Sequence, residues 1–250
     1  TARPQENLIQ GVLPPEILLD LIRHFVLFAP RPEGGEVKVI ARYQQYRAVG
    51  KIVDRLLTGK TPLERSGVVW HTQGSGKSFT MVMLVRKLRS IPELKDYKVL
   101  LINDRTNLEE QLGETAELTN ETIDYVESIS KLREKLSTPS SNVVMVMIHK
   151  FQELKENQDS IVGRAIATAA EPIPRYGNFG VINDSDRILI LIDEAHRSQS
   201  SDFGDNLFEA FPNSTKIAFT GTPLITERHE GHRTTERFGS YIDKYRLQDA

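Results

Sequence analysis

The feature that most constrains the fold is a short apolar run that leads into a glycine-rich loop and then into a helical pattern. The run is Gly67–His71, the loop is Thr72–Gly76, and the helical pattern is Lys77–Arg89. Parallel strands need such crossover connections, because a tight hairpin can join only antiparallel neighbours. The segment therefore predicts a strand–loop–helix unit of an α/β sheet.

The same alternation continues along the chain. Further apolar runs, rich in β-branched residues or leucine, predict strands buried on both faces: Lys98–Asn103, Asn142–Ile148, Arg187–Ile192, Lys216–Thr220 and a shorter one at Ile123–Val126. Helical patterns lie between them, at Asn107–Leu118, Ser128–Leu136 and Asp202–Phe211. Buried strands alternating with helices predict a doubly wound α/β fold, with a mostly parallel sheet and helices on both faces.

A helical lead-in is predicted ahead of the sheet. One helix runs from Pro14 and Pro15 to about Phe28, and a second from about Tyr43 to Leu57, with a turn at Pro30–Glu36 between them. We expect three parts: residues 1–40 as a helical linker, 41–226 as the α/β domain with an insertion at about 157–186, and 227–250 as the start of a connection to further chain. The missing initiator methionine predicts a fragment of a longer protein.

Composition limits the kinds of function. Hydrophobic residues make up 39% of the chain and charged residues 26%, which is typical of a globular protein. The chain has no cysteine, which excludes disulfides and thiolate metal sites and suits a reducing cytoplasm. No apolar run reaches the roughly 18 residues of a membrane span. A net charge of −2 gives no global basic field, so nucleic acid would need a local basic patch.

The glycine-rich loop carries the first candidate site. Gly74 and Gly76 permit backbone angles that turn successive N–H groups inward, which makes a nest for phosphate oxygens. The helix that follows adds the positive end of its dipole. Lys77 supplies a cation for the β- and γ-phosphates of ATP, and the Ser78 hydroxyl is a ligand for Mg²⁺. The alternative is a glycine-rich turn with an incidental lysine, and His71 does stand where the common pattern has its first glycine.

A second candidate site follows the predicted strand Arg187–Ile192. Asp193 and Glu194 end that strand, where two acids are favourable if a cation lies nearby. Asp193 is expected to hold Mg²⁺, and Glu194 to orient and deprotonate an attacking water. The alternative is that both acids cap the next helix. Because the carboxyl ends of parallel strands meet at one edge of a sheet, we expect the two acids to lie close to the loop.

A third signal lies at the end of the strand Lys216–Thr220. Thr220 and Thr222 flank Gly221 there, and their hydroxyls could sense the γ-phosphate and transmit its state. The alternative is a tight turn before Pro223.

Together these motifs resemble motifs I, II and III of superfamily 2 helicases and translocases. The longer strings Trp70–Ser78, Asp193–Gln199, Phe219–Leu224 and Arg237–Asp243 are similar to the R (HsdR) subunit of type I restriction enzymes. The resemblance extends from about Leu13 to Ala250. It implies a RecA-like domain that binds ATP and Mg²⁺ and drives movement along double-stranded DNA, with methyltransferase and specificity subunits as partners.

The resemblance also implies roles for individual residues. Gln45, in the pattern formed with Arg42 and Ala48, would read the adenine edge. The remaining assignments are ATP binding by Thr72, Gln73, Gly74, Ser75, Gly76, Lys77 and Ser78; catalysis by Lys77 and Glu194; Mg²⁺ binding by Ser78 and Asp193; coupling by His196, Thr220 and Thr222; and DNA contact by Asp104, Arg105, His149 and Lys150.

The same family places an arginine finger in a second RecA-like domain and DNA cleavage in a nuclease domain, and this chain ends after motif III. We therefore expect these 250 residues to bind nucleotide but to hydrolyse it slowly and not to cut DNA. Two alternatives stay open: another superfamily 2 DNA or RNA helicase, and an ATP-gated binding module without turnover. The sequence gives no DNA target.

Overall fold

The computed structural model describes residues 4–31, 33–103, 123–126, 128–138, 140–147, 180–193, 208–221, 235, 238–246 and 248. The helices are α1 Pro4–Gly11, α2 Pro15–His24, α3 Tyr43–Thr58, α4 Pro62–Arg65, α5 Lys77–Arg89 and α6 Ile129–Ser137. The strands are β1 Val26–Pro30, β2 Glu36–Ile40, β3 Gly67–His71, β4 Lys98–Asn103, β5 Ile123–Val126, β6 Val143–Met147, β7 Ile188–Asp193, β8 Thr215–Thr220 and β9 Tyr241–Tyr245. No helix in the described ranges is both long and apolar enough to cross a membrane.

Seven strands form one sheet in the order β5-β6-β4-β7-β8-β3-β9. Every pairing in it is parallel, which confirms the predicted α/β class. All residues of β7 and β8 are buried, because the sheet is covered on both faces. Side chains that alternate along these strands enter two separate apolar clusters, one on each face.

Helices α3 and α5 cover the same face of the sheet and pack against each other. Helix α3 buries Ala48, Val49, Ile52, Val53 and Leu56, a spacing that lines one side of a helix. Helix α5 begins and ends at the predicted residues, and its central turns are buried. Helix α3 therefore lies beside the helix that follows the glycine-rich loop.

The predicted lead-in is wrong for residues 26–40. Helix α2 ends at His24 rather than near Phe28, and β1 and β2 then form an antiparallel hairpin whose connection is the predicted turn. Phe25 and Leu27 are buried while Phe28 is 44% exposed, so side chains alternate as in a strand. The aromatic and β-branched run at 25–28 favours a strand over a longer helix.

The chain after Leu224 also differs from expectation, because part of the segment predicted to leave the domain adds to its sheet. Strand β9 pairs with β3 as the edge strand, and the turn before it uses Gly239 at a φ of 85°. The predicted helix Asn107–Leu118 lies outside the described residues, as does most of the predicted insertion and of the helix Asp202–Phe211.

One buried lysine stands at the opposite end of β8 from the candidate site. Lys216 is 7% exposed, and its Nζ donates to the carbonyl oxygens of Phe211 at 3.0 Å and Ser214 at 3.3 Å. The ammonium also lies 5.0 Å from the centroid of the Phe208 ring. Burial lowers the pKa of Lys216 from 10.5 to about 8.

This shift gives a testable pH dependence of stability. A lysine with a lowered pKa in the folded state penalises folding below about pH 8, where it is charged in both states, and the penalty fades up to its unfolded pKa of 10.5. Relative to Lys216→Met, the wild-type free energy of unfolding should therefore rise by about 1–2 kcal/mol between about pH 7 and 10, a value reduced for partial solvation. Urea unfolding measures it, with exposed Lys95→Met as the matched control. A constant difference would contradict the assignment.

Candidate active site

The loop after β3 has the backbone that a phosphate nest requires. Gly74 and Gly76 have φ angles of 75° and 78°, in the left-handed region that favours glycine. The loop is closed by a hydrogen bond from Ser75 N–H to the Thr72 carbonyl at 3.2 Å. The Ser75 hydroxyl is buried and has no hydrogen-bond partner within the described part of the chain. The loop thus offers polar groups to a ligand.

Lys77 and Ser78 open helix α5 directly after this loop. Lys77 is 8% exposed, and its Nζ lies 3.4 Å from the position of a Cβ on Gly221, so the side chain is directed into the site. The first N–H groups of a helix have no partner within that helix, and they carry the positive end of its dipole. Loop, lysine and helix start therefore lie together in an arrangement that suits an anion.

Asp193 and Thr220 lie at the same edge of the sheet as the loop. Strand β8 stands between β3 and β7, and the register aligns Thr220 with Trp70 and Asp193 with Phe219. With about 4.8 Å between neighbouring strands, the Asp193 backbone lies roughly 10 Å from β3. The side chains are close to fully buried, with Asp193 at 3% and Thr220 at 1% exposure.

Gly221 brings the third motif into contact with the first. A Cβ atom on Gly221 would lie 3.0 Å from Gln73 Cγ and 3.4 Å from Lys77 Nζ. The strand end after Thr220 therefore packs directly against the loop and its lysine. Even a Cβ atom at this position would meet Gln73 more tightly than side chains usually approach, so the site favours glycine there.

Gln45 is buried against the loop. Its Oε1 accepts a hydrogen bond from Arg42 N–H at 2.7 Å, and its Nε2 donates to the Gly76 carbonyl at 2.9 Å. A Cβ on Gly76 would lie 2.5 Å from that Nε2 and would displace the amide, while the φ of 78° by itself favours glycine. The amide thus contacts the phosphate loop, and reading of the adenine edge stays a prediction.

Several predicted residues lie outside the described part of the chain. They are Glu194 and His196 after β7, Thr222 after β8, and the DNA-contact candidates Asp104, Arg105, His149 and Lys150. In the sequence, each of them lies within three residues after the end of a strand, which is β4, β6, β7 or β8.

The donor set fits ATP with Mg²⁺. Within the described ranges, no group of three or more His, Cys, Asp or Glu side chains could hold a metal by itself. Mg²⁺ keeps several waters and is usually held by one or two protein oxygens plus substrate phosphates. The Ser78 hydroxyl and the Asp193 carboxylate could supply those protein oxygens, because α5 begins and β7 ends at the same edge of the sheet.

A buried ion cluster beside the loop was missed by the sequence reasoning. Asp243 of β9 is 2% exposed, and its carboxylate accepts from His71 Nε2 at 2.8 Å. Arg47 donates to it through Nε and Nη2, each at 2.9 Å, and Lys51 through Nζ at 2.8 Å. Burial would raise the pKa of Asp243, but these hydrogen bonds outweigh it and hold that pKa well below its usual value. The available signal was two basic residues four apart on one side of α3.

A parallel sheet with a phosphate loop, and with acid and threonine strand ends on the adjoining strands, defines a RecA-like nucleotide-binding domain of the superfamily 2 kind. The SWI2/SNF2 ATPase family matches residues 44–250, and the chain belongs to that family.

Similar proteins agree with the resemblance read from the motifs. The chain is 34% identical to the type I restriction enzyme HindI endonuclease subunit of Haemophilus influenzae, covering 98% of this chain and 23% of that protein. It is 30% identical to the putative MjaIXP endonuclease subunit of Methanocaldococcus jannaschii, covering 97% and 21%. The resemblance to R subunits is thus confirmed. The chain spans less than a quarter of the length of these two relatives.

Solved structures agree on the fold. The type ISP restriction-modification enzyme LlaBIII bound to DNA matches with a TM-score of 0.52 at 18% identity, covering 88% of this chain and 16% of that one. A nuclease-deletion mutant of LlaGI, in complex with a DNA substrate mimic, also matches with a TM-score of 0.52, at 17% identity. It covers 82% of this chain and 20% of that one.

Proposed function

We propose that the chain is the ATP-binding motor domain of a type I restriction enzyme R subunit, in which hydrolysis drives movement along double-stranded DNA. The observation that carries the proposal is the close approach of Gly221 to the phosphate loop, since a Cβ atom on that glycine would lie 3.2 Å from Gln73 N and 3.4 Å from Lys77 Nζ. Asp193 ends the strand on the other side of β8. Such a contact gives the γ-phosphate state a direct route from the loop into β8.

Each part of the site has a role in hydrolysis. The loop N–H groups and Lys77 bind the phosphates and neutralise charge that develops during transfer. Ser78 and Asp193 would hold Mg²⁺ when it is bound with ATP, and the ion would supply further charge neutralisation. Glu194 takes a proton from the attacking water as it forms a bond to the γ-phosphorus, while the bond to the ADP oxygen breaks. Thr220 and Thr222 transmit the resulting change, together with His196.

Contact with DNA is proposed for residues that follow β4 and β6. Asp104 and Arg105 come directly after β4, while His149 and Lys150 follow β6. The basic side chains of Arg105 and Lys150, and backbone N–H groups at such loops, can bind phosphates without reading sequence, as a translocating enzyme requires. We also propose methyltransferase and specificity subunits as partners. The specificity subunit would recognise the target site. We place the protein in the cytoplasm.

A triplex-displacement assay tests the motor function. The full-length protein, assembled with its methyltransferase and specificity subunits, should displace a labelled third strand from linear DNA in an ATP-dependent manner. Displacement should be delayed in proportion to the distance between the target site and the triplex, because the motor must travel that distance. The non-hydrolysable ATP analogue is the control.

Two results would contradict the proposal in different ways. ATP binding with neither hydrolysis nor displacement would favour an ATP-gated module over a motor. ATP hydrolysis that is stimulated by RNA rather than by double-stranded DNA, without displacement, would favour another superfamily 2 helicase.

A further inference from the structure

We propose that Asp243 is a positioning residue of the nucleotide site, which sets the start of the phosphate loop relative to helix α3. The inference rests on the proposed nucleotide binding. Asp243 is far from the loop in sequence, and although it ends a string similar to R subunits, it was assigned no role in the nucleotide site. Its carboxylate nevertheless contacts His71, the last residue of β3 before the loop.

Helix α3 holds the loop at both ends. At the far end, Gln45 donates to the Gly76 carbonyl at 2.9 Å. At the near end, Arg47 and Lys51 of the same helix bind Asp243, which binds His71. A shift of α3 would therefore move both ends of the loop together.

Strand β9 is shaped so that Asp243 can make these contacts. The pairing of β9 with β3 changes register between Val68 and Val69, which leaves Ile242 as an extra residue on β9. Ile242 packs into the core on the α3 side, and Asp243, next in sequence, binds α3 as well. A regular strand would turn one of them to the other face, whereas a bulge can re-aim a side chain. Beyond the bulge, Tyr245 O accepts from the N–H of Thr72, the first loop residue.

The exposure of the three partners of Asp243 indicates which of them depends most on its carboxylate. The side chains of Arg47 and Lys51 are 38% and 49% exposed, so water can replace Asp243 for both. The His71 side chain is fully buried, so it would have no such replacement. Replacing the Asp243 carboxylate by a neutral amide should therefore disturb the end of β3 and the loop more than it disturbs α3.

Nucleotide titrations separate positioning from simple stabilisation. We would measure the dissociation constant of a fluorescent ADP analogue for Asp243→Asn, Arg47→Gln and the double variant, together with the urea midpoint of each without nucleotide. Asp54→Asn is the matched control, since Asp54 is an exposed carboxylate on α3. Asp243→Asn is expected to weaken binding about tenfold, as loss of a supporting partner does at other sites, and Arg47→Gln about threefold. The double variant should bind no more weakly than Asp243→Asn, because both act through one route.

The outcomes decide between roles. A folded Asp243→Asn protein with the wild-type dissociation constant, whatever its urea midpoint, would overturn the inference. If Asp243→Asn does not fold, Arg47→Gln decides, and wild-type affinity in that variant would overturn it. Additive losses in the double variant would also overturn it. No binding by the wild-type protein would overturn the proposed function itself, and with it this inference.

Discussion

Replacing Lys77 by alanine is expected to weaken ATP binding and to lower the rate of ATP hydrolysis by about 10²–10³, the cost of removing one preorganised charge-stabilising donor. Only 8% of Lys77 is exposed, and the residue opens α5 beside Gln73 and Gly221. Lys77 is the basic residue that we assign to phosphate binding among the described residues. Steady-state hydrolysis with and without DNA, together with nucleotide titration, measures both losses.

Two further variants make this test specific. Lys77→Arg keeps the charge, but its planar guanidinium is larger than an ammonium group. Nζ of Lys77 would already lie 3.4 Å from a Cβ placed on Gly221, so little room remains, and the arginine variant should also lose most activity. Lys60→Ala removes an exposed lysine and should leave hydrolysis unchanged. Wild-type hydrolysis by Lys77→Ala would refute the assignment of the phosphate loop.

Replacing Glu194 by glutamine is expected to separate binding from hydrolysis. The amide keeps the size of the side chain but cannot accept a proton from water, and loss of a general base costs about 10²–10⁴ in rate. Asp193, which directly precedes it, would still be available to Mg²⁺, so the variant should bind ATP and retain it. Single-turnover hydrolysis and retention of labelled ATP on a filter measure the two effects.

The control for this variant is Glu209→Gln, which changes an exposed carboxylate in the same region of the chain. It should behave as wild type. In a protein that switches on ATP binding alone, Glu194→Gln would retain ATP much as wild type does, because its function would not depend on turnover. Equal hydrolysis by Glu194→Gln and wild type would remove Glu194 from the mechanism.

The central strands and the phosphate loop were predictable because their local patterns admit few structures. β3, β4 and β5 begin and end at the predicted residues, as does α5. A strand buried on both faces is a continuous apolar run, and Gly74 and Gly76 reveal the loop by the backbone angles they permit. Such features depend on residues close together in sequence.

The parts that were missed depend on distant contacts. Strand β9 has the sequence Tyr-Ile-Asp-Lys-Tyr, in which adjacent charges resemble an exposed segment. Asp243 is nevertheless buried, because α3 supplies Arg47 and Lys51 and β3 supplies His71. The hairpin at 26–40 was missed because the helical spacing of α2 runs directly into Phe25–Phe28, and pairing with β2, which is distant from α2 in that pattern, stabilises the strand there.

The position of β3 in the sheet also bears on how the protein is made. Both neighbours of β3, namely β8 and β9, come from the C-terminal third of these residues. At about 5–20 residues per second, a ribosome would need roughly 10–35 s to proceed from β3 to the end of β9. During that interval the nascent phosphate loop has neither flanking strand. Nucleotide can therefore help to fold the domain only late in synthesis, and holding β3 unpaired until then is a task suited to chaperones.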